Sequence, residues 1–197
     1  MIILLRHGRT PANAQGLLQG RLDPALDALG RRQAAAAAEA IGPVDRLIAS
    51  PLVRAQQTAA AFGPDVAIET DERFIELNYG DWEGKRTSDL SPDTWANWRA
   101  DLDFRPPNGE SLSDVGRRVR DALGELAPAA ADARIVVVSH VSPIKAAVAW
   151  GLGVDDATTW RTYLGQASIC RIATGGGTPR LVEFNVTAHL EGLENPS

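Results

Sequence analysis

Two histidines, whose side chains can take part in chemistry, follow closely after short apolar runs of this chain. His7 comes just after Ile2–Leu5, and His140 just after Ile135–Val138. Runs this short and this rich in β-branched residues predict buried strands. In open α/β sheets the ligand crevice lies outside the carboxyl ends of the strands, so two parallel strands of one sheet would bring both imidazoles to one edge. A lone strand-end histidine is more often a hydrogen-bonded surface residue, but two of the chain's three histidines in this position favour a shared site.

Two arginines are predicted at the same edge. Arg6 ends the first strand, and Arg54 lies in the first turn of a helix that is predicted from Ser50 as N-cap and Pro51 as first helical residue. A cation there opposes the helix dipole, at a cost of ~0.3–1 kcal/mol if exposed, unless an anion lies nearby. An Arg54 that extends into solvent is an equally good interpretation of the sequence alone. Together, two arginines and two histidines describe a phosphate cradle, since arginine offers bidentate donors and histidine can act as nucleophile, donor or base.

Cleavage of a phosphate ester also needs an acid that protonates the leaving oxygen. The candidate carboxylates cluster in one short segment and are Glu76, Asp81 and Glu83. Their types and spacing do not decide between them, because each is equally compatible with a solvated loop carboxylate.

The overall composition restricts the class of function. The chain has 197 residues, a formal net charge of −5 and a pI near 5.2. This acidic balance argues against a general binder of nucleic acid or membrane surfaces. The single cysteine, Cys170, excludes an internal disulfide framework and a multi-cysteine zinc site, and we expect it to be a small core residue. The N-terminal apolar run is too short for a signal peptide, and no run approaches the ~18 residues of a membrane span, so we expect a cytoplasmic protein.

Strands that alternate with helices must position these residues. Besides the two runs above, strands are predicted at Leu47–Ala49, Val66–Ile68, Ser168–Ile172 and Arg180–Phe184. Helices are predicted at about residues 27–41, 51–62 and 111–126 and around 144–151. This alternation predicts an α/β fold, a three-layer α/β/α sandwich whose central sheet of about six strands is mostly parallel.

The middle of the chain is less regular. We expect one domain over residues 1–197, with a lid-like helical and loop excursion at about 77–110 that is rich in glycine, proline and tryptophan. At least one of Trp95, Trp98 and Phe104 is predicted to cover the substrate as part of this lid. His189, in the polar C-terminal tail, is predicted to be exposed and uninvolved.

Several short motifs occur in a fixed order along the chain. Residues 6–13 read Arg-His-Gly-Arg-Thr-Pro-Ala-Asn, and further blocks follow at Gln19–Asp23, Leu29–Ala34, Ser50–Thr58, Glu76–Gly84, Gly109–Ser111 and Val138–His140. The first block is similar to the Arg-His-Gly-x-Thr-x-x-Asn signature of the histidine phosphatase (phosphoglycerate mutase-like) superfamily, and the others resemble that family in order. The resemblance covers about residues 1–150. A lone Arg-His-Gly would be weak, whereas the ordered set is highly specific.

The resemblance implies a role for each matching residue. His7 would be the nucleophile that becomes phosphorylated, and Glu76 would donate a proton to the leaving alkoxide and later activate water. Arg6, Arg54 and His140 would bind the transferring phosphoryl group. Further phosphate or substrate contacts would come from Asn13, Gln19, Gly20 and Val141. The family's chemistry needs no metal and no cofactor, its partner is a small phosphorylated metabolite, and a homodimer is compatible because dimers occur in the family.

One position departs from the family pattern. Val141 follows His140, where the family usually has glycine. This variant resembles the acid-phosphatase-like members of actinobacteria, such as the phosphatase half of the bifunctional ribonuclease H/acid phosphatase proteins. Valine keeps the backbone N–H as an oxyanion donor and narrows the pocket near His140, so the change concerns the substrate more than the chemistry.

The function implied by the resemblance is a phosphomonoester hydrolase that acts on a small metabolite through a phosphohistidine on His7. One alternative is a phosphoglycerate mutase-type phosphotransferase. The cofactor-dependent mutases of the family carry a longer, basic insertion after the proton-donor region. The corresponding segment here, residues 85–109, is short and holds little positive charge. A second alternative is a catalytically inactive phospho-ligand-binding protein, which would have lost His7, Arg54, Glu76 or His140, and none of these is missing.

Overall fold

The computed structural model describes residues 1–193, whose strands form one six-stranded sheet in the order β3-β2-β4-β1-β5-β6. The strands are β1 (Ile2–Arg6), β2 (Arg46–Ala49), β3 (Ile68–Thr70), β4 (Ile135–Ser139), β5 (Ile169–Ala173) and β6 (Arg180–Val186). Strands β1 to β4 pair in parallel, while β5 and β6 are antiparallel additions beside β1. The predicted mostly parallel sheet is confirmed.

Helices cover both faces of this sheet. The helices are α1 (Pro11–Ala14), α2 (Ala28–Ile41), α3 (Val53–Ala59), α4 (Pro92–Ala100), α5 (Leu112–Leu126) and α6 (Val141–Leu152). Of these, α2 and α3 pack on one face, and α5 and α6 on the other. Ser111 caps α5 and forms a capping box with Asp114, as its sequence indicates. Among residues 1–193, no helix is long and apolar enough to cross a membrane.

The alternation of side chains along the central strands creates two separate cores. In β1, Ile2 and Leu4 pack with residues of α5 and α6, whereas Ile3 and Leu5 pack with residues of α2 and α3. Successive strand side chains point to opposite faces, so a strand that is buried on both sides reads as a continuous apolar run. The three-layer α/β/α arrangement predicted from such runs is confirmed.

The pairing of β1 with β4 brings the two sequence-distant histidines together. The register places Arg6 opposite Ser139, and the backbone N–H of His7 donates to the Ser139 carbonyl at 3.0 Å. His7 and His140 are the next residues on these parallel strands. The prediction that both histidines lie at one edge of the sheet is therefore confirmed.

Two predicted element boundaries are wrong. The apolar pattern placed β3 at Val66–Ile68, but Ile68 pairs with Leu47 and the strand continues through Glu69 and Thr70. As the last strand of the sheet, β3 is partly exposed, so its polar residues carry the pairing and apolar periodicity misplaces it.

The predicted start of the third helix is also wrong. Ser50 and Pro51 lie before α3, whose N-cap position is held by Leu52. The Ser50 hydroxyl lies 2.7 Å from a ring nitrogen of His140. Its side chain therefore serves a long-range contact, and Arg54 remains in the first turn of the shorter helix.

Candidate active site

The two histidines form the centre of a buried polar cluster. His7 and His140 are both buried, and their ring centroids lie 5.1 Å apart. Burial, and then the charges of Arg54 and Arg6, lower the pKa of His7 well below its ordinary value. The pKa of His140 is lowered well below its ordinary value by burial and then by Arg54. Both rings are therefore neutral near pH 7.

One hydrogen bond fixes the protonation of the His7 ring. Its Nδ1 lies 2.7 Å from the Gly8 carbonyl oxygen. A carbonyl only accepts, so Nδ1 carries the proton and the neutral ring keeps its lone pair on Nε2. An imidazole held in this tautomer offers Nε2 as a nucleophile or base.

His140 is held from the other side by the end of a third strand. Its Nε2 lies 2.7 Å from the hydroxyl of Ser50, the residue after β2, while its buried Nδ1 has no hydrogen-bond partner within residues 1–193. A buried polar nitrogen without a partner is costly, which makes Nδ1 ready to pair with a ligand atom.

Arg6 and Arg54 are buried with little opposing charge. Arg6 donates to the Leu164 carbonyl at 2.6 Å and has no carboxylate within 4.0 Å in the described residues. Arg54, only 1% exposed, donates to the carbonyls of Gly20 and Leu22 at 2.8 and 2.7 Å, and its ion-pair partner Asp23 is 3.9 Å away. Burial lowers the pKa of both guanidiniums. Two desolvated cations with carbonyl partners would be stabilised by a bound anion.

The structure separates the three carboxylates that the sequence left open. Glu76 is buried at the edge of the site, and its oxygens accept the backbone N–H groups of Leu77, Val141 and Ser142 at 2.8, 3.1 and 3.1 Å. Val141 and Ser142 begin α6, so this carboxylate lies at a helix N-terminus.

The other two carboxylates have structural partners. Glu83 accepts the backbone N–H groups of Arg21 and Leu22 at 2.7 and 3.1 Å, and exposed Asp81 accepts the side-chain amide of Asn108 at 3.1 Å. Among these three carboxylates, Glu76 alone lines the cavity beside His7.

That cavity, the histidine pocket, has a volume of about 200 Å³. Its wall includes the predicted site residues Arg6, His7, Asn13, Gln19, Gly20, Arg54, Glu76 and Val141. His140 does not itself line the cavity, but its ring lies next to that of His7, with ring centroids 5.1 Å apart. A larger groove of about 400 Å³, lined by residues such as Glu39 and Phe62, lies near the amino ends of the strands and contains none of these groups.

Sequence reasoning missed several residues of the site. Tyr79 and Thr87 line the histidine pocket, and Ser50 contacts His140. The position of Ser50 just after β2 was a usable signal, since it follows the same strand-end rule as the histidines. Its N-cap pattern concealed that signal.

Two further expectations can be compared with the structure. Cys170 is a buried core residue, as predicted. The expectation of an exposed His189 is wrong, because its Nε2 lies 2.9 Å from the Ala167 carbonyl and the ring is half-buried. The C-terminal tail thus packs back on the segment before β5.

Known proteins share both this fold and this sequence. The family described as "Histidine phosphatase superfamily (branch 1)" matches residues 2–187. A Mycobacterium tuberculosis protein described as bifunctional is 34% identical over 200 residues, which cover 96% of this chain and 54% of the relative. The chain therefore spans about half the length of that relative. A glucosyl-3-phosphoglycerate phosphatase of Mycolicibacterium vanbaalenii is 34% identical, with 90% of this chain and 84% of the relative covered.

Solved structures give the same result. A phosphoserine phosphatase of Entamoeba histolytica, a mutant in complex with phosphoserine, superposes with a TM-score of 0.89 at 30% identity, covering 96% of this chain and 98% of the other. A mycobacterial glucosyl-3-phosphoglycerate phosphatase in complex with VO3 has a TM-score of 0.85 at 33% identity, covering 94% and 98%. The resemblance stated from the motifs is confirmed, and this chain belongs to the histidine phosphatase superfamily.

Proposed function

We propose that this protein is a phosphomonoester hydrolase that acts on a small phosphorylated metabolite through a phosphohistidine on His7. The observation that carries the proposal is the His7 ring, held as the Nδ1–H tautomer by the Gly8 carbonyl in a pocket with Arg6, Arg54 and Glu76. Such a pocket supplies a nucleophile, anion-binding donors and an acid in one place. The phosphatases among the relatives support the same reaction class.

In the first step, the Nε2 lone pair of His7 attacks phosphorus and the bond from phosphorus to the ester oxygen breaks. Protonated Glu76 gives its proton to the departing alkoxide, so the alcohol leaves neutral. Arg6, Arg54 and the Nδ1–H of His140 donate to the phosphoryl oxygens, where negative charge accumulates. A Ser50 hydroxyl that donates to Nε2 of His140 places the proton on Nδ1 for this purpose.

In the second step, water attacks the phosphorus of the phosphohistidine and the N–P bond breaks. The carboxylate of Glu76 accepts a proton from this water, which restores the acid for the next cycle, and inorganic phosphate leaves. The lone pair returns to Nε2 of His7. Splitting hydrolysis into two displacements lets one carboxyl group act first as acid and then as base.

We further propose that residues 77–110 are a lid-like excursion of one domain over 1–197. Its two ends lie against each other, because the N–H of Glu110 donates to the Asn78 carbonyl at 2.9 Å. Gly80 has a φ of +53°, and a Cβ there would lie 2.0 Å from the Pro107 carbonyl oxygen. Glycine is required for this approach. Between these ends, α4 carries Trp95 and Trp98 to the wall of a neighbouring cavity.

The proposal is tested with 4-nitrophenyl phosphate in the absence of any bisphosphorylated sugar acid. We expect the protein to release inorganic phosphate and His7→Ala to lower kcat/KM by roughly 10⁴–10⁶-fold, because the nucleophile is lost. Enzyme that is mixed with a radiolabelled phosphomonoester and then denatured in alkali should carry an acid-labile labelled phosphate. The same treatment should leave no label on His7→Ala.

His189→Gln is the matched control, since it removes a histidine outside the histidine pocket and should retain the labelled intermediate. Labelling of His7→Ala would overturn the assignment of the nucleophile. Turnover that requires a bisphosphorylated sugar acid would favour the phosphotransferase, and binding of phosphate without any turnover would favour the inactive binding protein.

A further inference from the structure

A second cavity of about 220 Å³ adjoins the histidine pocket. We call it the tryptophan pocket, after Trp95, Trp98 and Trp160 on its wall. Tyr79 and Val141 line both cavities, so a ligand with its phosphate beside His7 can extend past them into the tryptophan pocket.

The tryptophan pocket has flat aromatic walls. Trp95 and Trp98 of α4 stack with ring centroids 5.5 Å apart and an interplanar angle of 19°. Trp160 meets Trp98 edge to face, with centroids 5.1 Å apart at 77°. Walls of this shape favour a planar apolar group, which gains both burial and ring contacts.

One cation, Lys145 of α6, lies on the wall of this pocket. Its ammonium donates to the Thr159 carbonyl at 2.9 Å, and within residues 1–193 it has no carboxylate within ion-pair distance. The side chain is half-buried, and burial lowers its pKa. A desolvated ammonium that uses one of its three donors and has no carboxylate within ion-pair distance in residues 1–193 would gain from an anion brought by a ligand.

We propose that the tryptophan pocket holds the leaving alcohol, and that the preferred substrates are phosphomonoesters whose alcohol is a planar apolar group ending in a carboxylate, which pairs with Lys145. This inference rests on the proposed function and names its substrate class. A carboxylate suits the site better than a second phosphate, because Lys145 is a single point charge and none of the described residues that line this pocket is an arginine. A three-carbon alcohol such as that of phosphoserine would leave most of the aromatic wall without contact.

The test compares two esters that differ in charge alone at the far end, 4-carboxybenzyl phosphate and 4-carbamoylbenzyl phosphate. They have nearly the same shape and leaving oxygen, so their ratio of kcat/KM reports recognition of the carboxylate. We expect the protein to favour the carboxylate ester by about tenfold or more, as one ion pair in a partly dry pocket allows.

Variants locate the source of that preference. Lys145→Met keeps the apolar stem and should bring the ratio close to one, while Lys145→Arg should restore much of it. Lys85→Met is the matched control, because it removes the other lysine of the chain from an exposed position outside both pockets and should keep the full ratio.

A readout on the unmodified protein remains if a variant fails to fold. In the presence of inorganic phosphate, 4-(hydroxymethyl)benzoate should quench tryptophan fluorescence at a concentration about tenfold lower than 4-(hydroxymethyl)benzamide does. Equal hydrolysis of the two esters, or a preference that survives in Lys145→Met, overturns the inference and leaves the proposed function intact. If 4-nitrophenyl phosphate and both esters remain intact, the proposed function fails and this inference with it.

Discussion

The histidine pocket and the tryptophan pocket share part of one wall, yet they are built in different ways. His7, His140 and Ser50 follow the carboxyl ends of three parallel strands, and their rings and hydroxyl are fixed by short hydrogen bonds. The tryptophan pocket is made by α4 and the 3₁₀ turn around Trp160, which pack through ring contacts. Directional hydrogen bonds fix positions closely, as bond-making requires, whereas aromatic packing accepts changes of shape that alter which alcohol fits.

The histidine pocket also holds buried positive charge in a protein that is acidic overall. In the histidine pocket the charges of Arg6 and Arg54 are held by backbone carbonyls, in a protein whose net charge is −5. The acidic balance argues against a polyanion partner but does not reveal a local cationic site. A few focused charges in a low-dielectric cleft suffice for a small anion.

The largest effect in this comparison is expected in the histidine pocket, from Glu76→Gln. Loss of the proton donor should lower kcat by roughly 10²–10⁴-fold on an alkyl phosphate, because a poor leaving group needs protonation. On 4-nitrophenyl phosphate the loss should be smaller, since nitrophenolate departs without a proton. Steady-state kinetics on both esters check this, with Asp81→Asn as the control carboxylate outside the site. Equal losses on the two esters would contradict the assigned role.

A smaller effect is expected from Trp95→Leu in the tryptophan pocket. Truncation removes one aromatic wall, so KM for benzyl phosphate should rise by about fivefold to tenfold, and by less for glycerol phosphate. Trp150→Leu, which changes a tryptophan of α6 outside both pockets, is the matched control. If Trp95→Leu alters the constants of every substrate by no more than twofold, Trp95 does not cover the substrate, and the lid interpretation of residues 77–110 then depends on Trp98 and Phe104.

A further effect concerns stability against pH, and it belongs to the histidine pocket. Burial and the arginines lower the pKa of His7 and His140 in the folded state. As the pH falls, these histidines therefore become protonated in the unfolded chain before they do in the folded one. Their contribution to stability is complete above the ordinary pKa of 6.5 and is lost as the pH falls below it. Each pH unit costs about 1.4 kcal/mol per histidine that stays neutral in the fold.

Urea unfolding at intervals between about pH 7.5 and 5.5 measures this slope, in a window where carboxylates contribute little. His140→Asn should show a shallower decline than the unmodified protein. If the slope of unfolding free energy against pH is unchanged in this variant, His140 has the same pKa in the folded and the unfolded state.

Much of the fold could be predicted from the sequence, because local patterns of apolar and capping residues indicate burial and helix starts directly. The apolar runs of β1 and β4 predicted strands buried on both faces, and the Ser111 capping box marked the start of α5. Edge strand β3 was misplaced because its exposed residues carry no apolar signal. The roles of the site residues remain a proposal, although the strand-end rule brought His7 and His140 to one edge correctly.

The sequence by itself determined which residue types meet at the sheet edge, since strand direction and strand ends follow from local chain pattern. The motif resemblance named Glu76, but residue type and spacing left Asp81 and Glu83 open. Tertiary structure places Glu76 in the pocket with His7, because its carboxylate is held by the N-terminus of α6 more than sixty residues along the chain. It also decided that Ser50 contacts His140 instead of capping a helix. In the first case three carboxylates were locally equivalent, and in the second, one hydroxyl had two possible partners. In both, the packing of distant elements made the selection.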